Sequence, residues 1–183
     1  MKYLLKIFLI TILWSALMTP ANTADAQSEN VKPENLLTLD LTTGPVKIKM
    51  LPEKAPKHVE RIKKLVSEDF YDNIVFHRVI EGFMAQTGDP TGTGRGGSDY
   101  EDLPAEFNDV DFVRGTVGMA RTQNPDSANS QFFICFEDCS FLNGQYTVWG
   151  QVIEGMENVD SLSVGEPPAN PDMIVEAELG TEK

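Results

Sequence analysis

The sequence predicts a mainly β fold, a closed antiparallel barrel of eight short strands with two helices. Three observations predict it. Polar and apolar residues alternate over eight short runs, glycine and proline punctuate the intervals, and helical spacing occurs in only two places. A chain of 183 residues suffices for one domain with its own core and hardly for two, and it contains no internal repeat.

Leu37, Leu39 and Leu41 alternate with Thr38 and Asp40, the pattern of a half-buried strand. Thr42-Thr43-Gly44 turns the chain, and Val46, Ile48 and Met50 then alternate with Lys47 and Lys49, so the pair reads as a hairpin. Pro52 and Pro56 break the strand, and Pro56 can open a helix, over which Val59, Ile62, Leu65 and Val66 recur at helical spacing. Strands resume at 74–80 and 83–88. Residues 90–98 hold four glycines and read as an irregular loop, and 103–113 is acidic and irregular too. Further strands are expected at 116–121, 131–135, 147–153 and 173–179, with a short helix over 156–162 after Gly155.

The balance of 28 acidic against 15 basic residues gives a formal charge of −13 and disfavours a nucleic-acid partner. Solubility is the plain reading of that acidity. At the amino terminus Lys2 and Lys6 precede an apolar stretch over 7–18, too short to span a bilayer comfortably, and Ala24-Asp25-Ala26 precedes Gln27. These features predict a signal peptide over 1–26, cleaved after Ala26, followed by a flexible segment over 27–34 and a single domain over 35–183. An uncleaved anchor is the alternative. The protein is expected to be exported, periplasmic or secreted, with no stable membrane anchor.

Two cysteines, Cys135 and Cys139, are available in that compartment. Cys135 ends an apolar run and reads as a buried thiol; Cys139 follows in a loop. Their spacing allows a disulfide, but so small a ring stabilises little, and free thiols are the default expectation. With two distant histidines, the cysteines lack the paired spacing of a zinc site. No metal or cofactor is expected.

The run Phe76-His77-Arg78-Val79-Ile80-Glu81-Gly82-Phe83-Met84-Ala85-Gln86-Thr87-Gly88-Asp89 carries the most chemistry. Alternate side chains of a strand share a face, so Gln86 falls with Met84. Phe83 joins them only if the backbone bends, and Gly82 sits where a turn or bulge could bend it. One cation, one amide and an apolar wall could then line a shallow groove for an uncharged, partly apolar ligand. His77 points away from Arg78 and reads as a packed structural histidine. His58 lies on a helix among charges and reads as exposed. Ser127, Ser130 and Cys139 lack a nucleophile-elbow context. Gly92-Thr93-Gly94-Arg95-Gly96-Gly97 lacks the Lys-Ser/Thr of a phosphate loop, and the nearby acidic residues do not form a calcium loop.

That run resembles the signature of the cyclophilins, the peptidyl-prolyl cis-trans isomerases. Gly118-Met119-Ala120-Arg121 with Ser130-Gln131-Phe132-Phe133-Ile134-Cys135 is similar to a second family segment. Phe141-Leu142-Asn143-Gly144-Gln145-Tyr146-Thr147-Val148-Trp149-Gly150-Gln151-Val152 is similar to a third. The three stand in the family's order, and the resemblance covers roughly residues 35–180. It implies the same eight strands with a helix capping each end. Arg78 would be the electrophilic catalyst, with Gln86 orienting Arg78 or the substrate carbonyl. Phe83, Met84, Phe133 and Leu142 match the proline pocket, although each alone would more often be core. Ala120 and Arg121 match the segment whose backbone pairs with substrate, and Gln131 matches a further groove position.

Three residues depart from the pattern. Arg121 stands where many relatives carry asparagine. Phe141 stands where cyclosporin-sensitive members carry tryptophan, so weak cyclosporin binding is expected. Tyr146 stands where many carry histidine, and with Phe141 it resembles the bacterial branch. The expected protein is a monomeric isomerase acting on proline-containing peptides and unfolded exported proteins. A binding module that holds such segments without catalysis is the alternative; a hydrolase has no supporting constellation.

Overall fold

The computed structural model describes residues 31–181. The signal peptide expected over 1–26 and most of the segment expected to be flexible lie outside the described residues. Eight strands form one antiparallel sheet: β1 (Leu36–Leu41), β2 (Gly44–Met50), β3 (Arg78–Ile80), β4 (Met84–Thr87), β5 (Thr116–Met119), β6 (Phe132–Cys135), β7 (Val148–Glu154) and β8 (Ile174–Leu179). Among the described residues two α-helices accompany them, α1 (Pro56–Ser67) and α2 (Met156–Asp160). The strand order is β3-β4-β6-β5-β7-β2-β1-β8.

The expected closed barrel is corrected to a curled, open one. The edge strands β3 and β8 do not form a ladder with each other; one isolated bridge, Val75 with Met173, links the segments that precede them. The cause is local. Val79 in β3 exchanges both of its backbone bonds with Gly165, at 2.8 and 2.9 Å. The outer edge of β3 is thus occupied by the connection that leads to β8.

The hairpin forms as alternation requires. Leu37, Leu39, Leu41, Val46, Ile48 and Met50 are all buried. Gly44 holds φ +126°, and its turn is tied to α2 by the Thr43 hydroxyl, which donates to the Asn158 carbonyl, and by the Asn158 amide, which donates to the Pro45 carbonyl.

Helix α1 opens on Pro56 and has no cap from its own chain segment. Glu106 supplies one from the loop after β4: its carboxylate accepts the Lys57 and His58 backbone N–H groups at 3.1 Å and the His58 Nδ1–H at 2.7 Å. The expectation that His58 is exposed is therefore corrected. It is fully buried on the helix face shared with Ile62 and Leu65. Burial lowers its pKa more than Glu106 raises it, so the imidazole is neutral.

Strands β4 and β6 separate two apolar clusters by their period of two. Ala85, Phe132 and Ile134 face the barrel core, where Phe132 meets Trp149 and Tyr71 edge-on. Met84, Phe133 and Cys135 face the other side and join Phe112, Cys139, Leu142 and Val148. That second cluster underlies the site. Cys135 and Cys139 are free and buried within it, and burial pushes both thiols up, which removes them as nucleophiles. No described helix is long and apolar enough to cross a membrane.

Candidate active site

The β3–β4 hairpin places Arg78 opposite Gln86 and Ile80 opposite Met84. Between the strands Gly82 takes φ +70° and the Phe83 N–H donates to the Ile80 carbonyl at 3.0 Å. This bend turns Phe83 toward the same side as Met84, and both line a cavity of about 140 Å³ with Arg78 and Gln86. Phe133, Leu142 and Tyr146 complete its apolar wall, and Ala120 and Arg121 form its far rim.

The floor is rigid. The Phe133 ring stacks on Phe112 at 5.7 Å and meets Tyr146 edge-on at 5.7 Å. Phe112, from the stretch expected to be irregular and acidic, is fully buried here, whereas Phe107 in the same stretch is exposed, and no sequence pattern told the two apart. Phe141 does not line the cavity. It stands 62% exposed on the rim, 5.4 Å from the Phe83 ring.

The polar groups are organised in two sets. Arg78 Nε donates to Glu166 Oε2 at 2.6 Å. Gln86 does not bond to Arg78; its amide nitrogen donates to Gln131 Oε1 at 2.8 Å, and the Gln131 amide nitrogen donates to the Gly96 carbonyl at 2.8 Å. Glu166, not Gln86, is thus the side chain bonded to Arg78; Gln86 lines the same cavity, where the resemblance has it orient Arg78 or the substrate carbonyl. At the far rim, the Ala120 N–H donates to the Gln131 carbonyl. Among the described residues no hydrogen bond uses the Ala120 carbonyl or the Arg121 N–H, so that backbone edge can accept another chain. The Arg121 side chain folds away from this edge: it donates to the Gln145 carbonyl and lies 4.3 Å over the Tyr146 ring.

A larger cavity, about 490 Å³, continues past Gln86 and Gln131 and is bounded by the glycine-rich loop, Asp102 and Asn129. Asp89 holds that loop. Its carboxylate accepts the N–H groups of Thr91, Thr93, Gly94 and Arg95 at 2.6–3.0 Å and is 1% exposed. Burial alone would raise its pKa; the bonds from Thr91, Gly96 and Gly94 outweigh burial and hold it at about 2. The stability this carboxylate contributes is complete above its ordinary 3.8 and is lost as pH falls from there toward about 2. Asp89→Asn should cost roughly 2 kcal/mol by urea denaturation at pH 7, with the gap to the unaltered protein narrowing as pH approaches that lower value. A gap independent of pH would contradict this account.

The other chemistry-bearing residues are committed elsewhere. His77 is buried below Gly94, and neither ring nitrogen has a partner among the described residues. Burial lowers its pKa. The Ser127 and Ser130 hydroxyls donate to the Asn124 and Gly88 carbonyls. Among the described residues no group of three or more His, Cys, Asp or Glu side chains could hold a metal ion.

The site thus sets a guanidinium and an amide pair beside an apolar cleft and an open backbone edge, a set of groups suited to an uncharged peptide chain. Comparison with known proteins agrees. Residues 36–179 match the family described as cyclophilin type peptidyl-prolyl cis-trans isomerase/CLD. A probable peptidyl-prolyl cis-trans isomerase of Brucella suis is 53% identical over 163 residues, which span 80% of this chain and 83% of that protein. The human peptidyl-prolyl cis-trans isomerase-like 3 is 43% identical over 131 residues, 69% of this chain and 80% of its own. Among solved structures, the cyclophilin AquaCyp293 from Hirschia baltica superposes with a TM-score of 0.76 at 32% identity, covering 86% of this chain and 79% of that one. A Cryptosporidium parvum cyclophilin type peptidyl-prolyl cis-trans isomerase, crystallised in the presence of the dipeptide Ala-Pro, gives 0.75 at 27% identity, covering 80% and 99%. The chain belongs to the cyclophilin-type peptidyl-prolyl cis-trans isomerases.

Proposed function

We propose that this isomerase accelerates X-Pro isomerisation in exported proteins as they fold, and that Arg78 stabilises the twisted amide. The convergence of Arg78, Gln86 and the Phe83, Met84, Phe133 and Leu142 wall on one cavity supports this reading. The X-Pro bond is planar through resonance, with a barrier of about 18–20 kcal/mol, and uncatalysed exchange takes tens of seconds or more. When the bond twists, the prolyl nitrogen becomes pyramidal and regains a lone pair. The pyrrolidine ring sits in the apolar cleft, the flanking chain pairs with the Ala120–Arg121 backbone, and the Arg78 guanidinium donates to the twisted form. An interaction made more strongly there than with either planar isomer speeds both directions. No covalent bond is broken, so neither a proton shuttle nor a cofactor is required.

The test is the cis-to-trans rate of a short X-Pro peptide followed by NMR exchange, with no coupled protease. Acceleration supports the reading. Binding without acceleration would instead indicate a module that holds proline-containing segments. Export rests on the amino-terminal pattern alone. It is tested by sequencing the amino terminus of the protein recovered outside the cytoplasm, where Gln27 is the expected first residue.

Phe141 offers no N–H to a cyclic peptide inhibitor, so cyclosporin should bind weakly. Phe141→Trp should tighten binding by about tenfold, the worth of one added hydrogen bond. Tight binding by the unaltered protein in a titration would refute this.

A further inference from the structure

The Arg78 side chain has one hydrogen-bond partner among the described residues, Glu166, which lies 88 positions along the chain. The segment that carries Glu166 is pinned beside β3. Gly165 exchanges two backbone bonds with Val79, the residue next to Arg78. The turn there is tight: a Cβ on Gly165 would lie 2.5 Å from the Pro168 Cα. Farther along, the Asp172 carboxylate accepts the Ser163 N–H and the Thr42 hydroxyl at 2.8 Å, and its carbonyl accepts the Phe76 N–H. The backbone on both sides of Glu166 is thus fastened to β3 or to the segment that leads into it.

The contact falls on one edge of the guanidinium. Glu166 takes Nε, while the two terminal nitrogens make no hydrogen bond within the described residues. Arg78 lines the apolar cavity and Glu166 does not. The carboxylate therefore holds the guanidinium from outside the cleft and leaves its forked end for the substrate. An arginine side chain has four rotatable torsions, and an unpinned guanidinium would spend much of its time turned away. At 39% and 53% side-chain exposure the pair adds little to stability, so its value lies in orientation.

We infer that Glu166 is a positioning residue for the isomerisation, fixing the guanidinium of Arg78 through Nε so that its terminal N–H groups meet the twisted amide. The inference rests on the electrophilic role proposed above for Arg78. It assigns Glu166 no contact with substrate.

The test uses Glu166→Ala, Glu166→Gln and Arg78→Ala in the full chain. Glu166→Ala should lower kcat about tenfold by loss of alignment, with the affinity for a proline peptide unchanged within about twofold. Glu166→Gln keeps an acceptor at the same reach and should restore most of the rate. In ¹⁵N-labelled protein, the Arg78 Nε–H resonance should be protected from solvent exchange, lose protection in Glu166→Ala and keep it in Glu166→Gln. Unfolding midpoints should not move. An unchanged rate in Glu166→Ala, where Arg78→Ala is slow, overturns the inference and leaves the Arg78 reading standing. A faster Glu166→Ala also overturns it, since the carboxylate would then compete with substrate. If Arg78→Ala itself keeps the full rate, the underlying reading fails instead.

Discussion

Arg78→Ala should lower kcat/KM for a short X-Pro peptide by about 10²- to 10³-fold, the cost of removing one preorganised donor to a transition state, roughly 2.7–4 kcal/mol. Most of the loss should fall in kcat. The apolar cleft is untouched by the substitution, so the peptide should bind with nearly its original affinity. Arg78→Lys separates charge from shape. It keeps a cation but loses the planar fork and the Nε edge that Glu166 grips, so the rate should recover only partly. Stability should hardly change in either variant, because the one ion pair lost is partly exposed. A rise in KM with kcat unchanged would mean that Arg78 binds the planar and twisted forms alike, and the proposed mechanism would fall.

What the sequence revealed and what it hid divide along physical lines. The β1–β2 hairpin and the shared strand face of Met84 and Gln86 were legible because period-two alternation and turn residues act over a few positions. Gly82 was legible for the same reason, and its positive φ supplies the bend that brings Phe83 beside Met84. The Glu166 contact, the Glu106 cap on α1 and the stacking of Phe112 under Phe133 each join residues far apart in sequence, and no local pattern encodes such meetings. His58 was misread because charged neighbours in sequence said nothing of Glu106, which satisfies it in space. Counting strands predicted closure of the barrel, but a count does not show that Gly165 already occupies the free edge of β3. Arg121 shows the opposite case. Its side chain is stapled to Gln145 and Tyr146, so the departure from asparagine leaves the neighbouring backbone edge open.

The adjacent aromatic residues Phe132 and Phe133 provide the sharpest test of the pocket, because β6 directs them to opposite clusters. Phe133 is 5% exposed, stacks on Phe112 and forms the cleft floor. It is wedged from below, since a Cβ on Gly118 would come within 2.6 Å of its ring. Phe133→Ala should therefore cost about 3–5 kcal/mol of stability and leave a void where the proline ring sits. Activity of the folded fraction should drop by about 10- to 100-fold, the worth of one to two well-buried apolar contacts for the ring. Phe132→Ala should cost a similar amount of stability, because that fully buried ring packs edge-on against Trp149 and Tyr71. Its side chain, however, never reaches the groove. The folded fraction of Phe132→Ala should keep kcat/KM within about threefold of the unaltered protein, as expected of a site held by β3, β4 and backbone bonds that this change leaves in place. Rates measured well below both unfolding midpoints, and divided by the folded fraction, would distinguish the two. Equal losses per folded molecule would mean that Phe133 supports the fold alone, and the assignment of this cleft to proline would have to be abandoned.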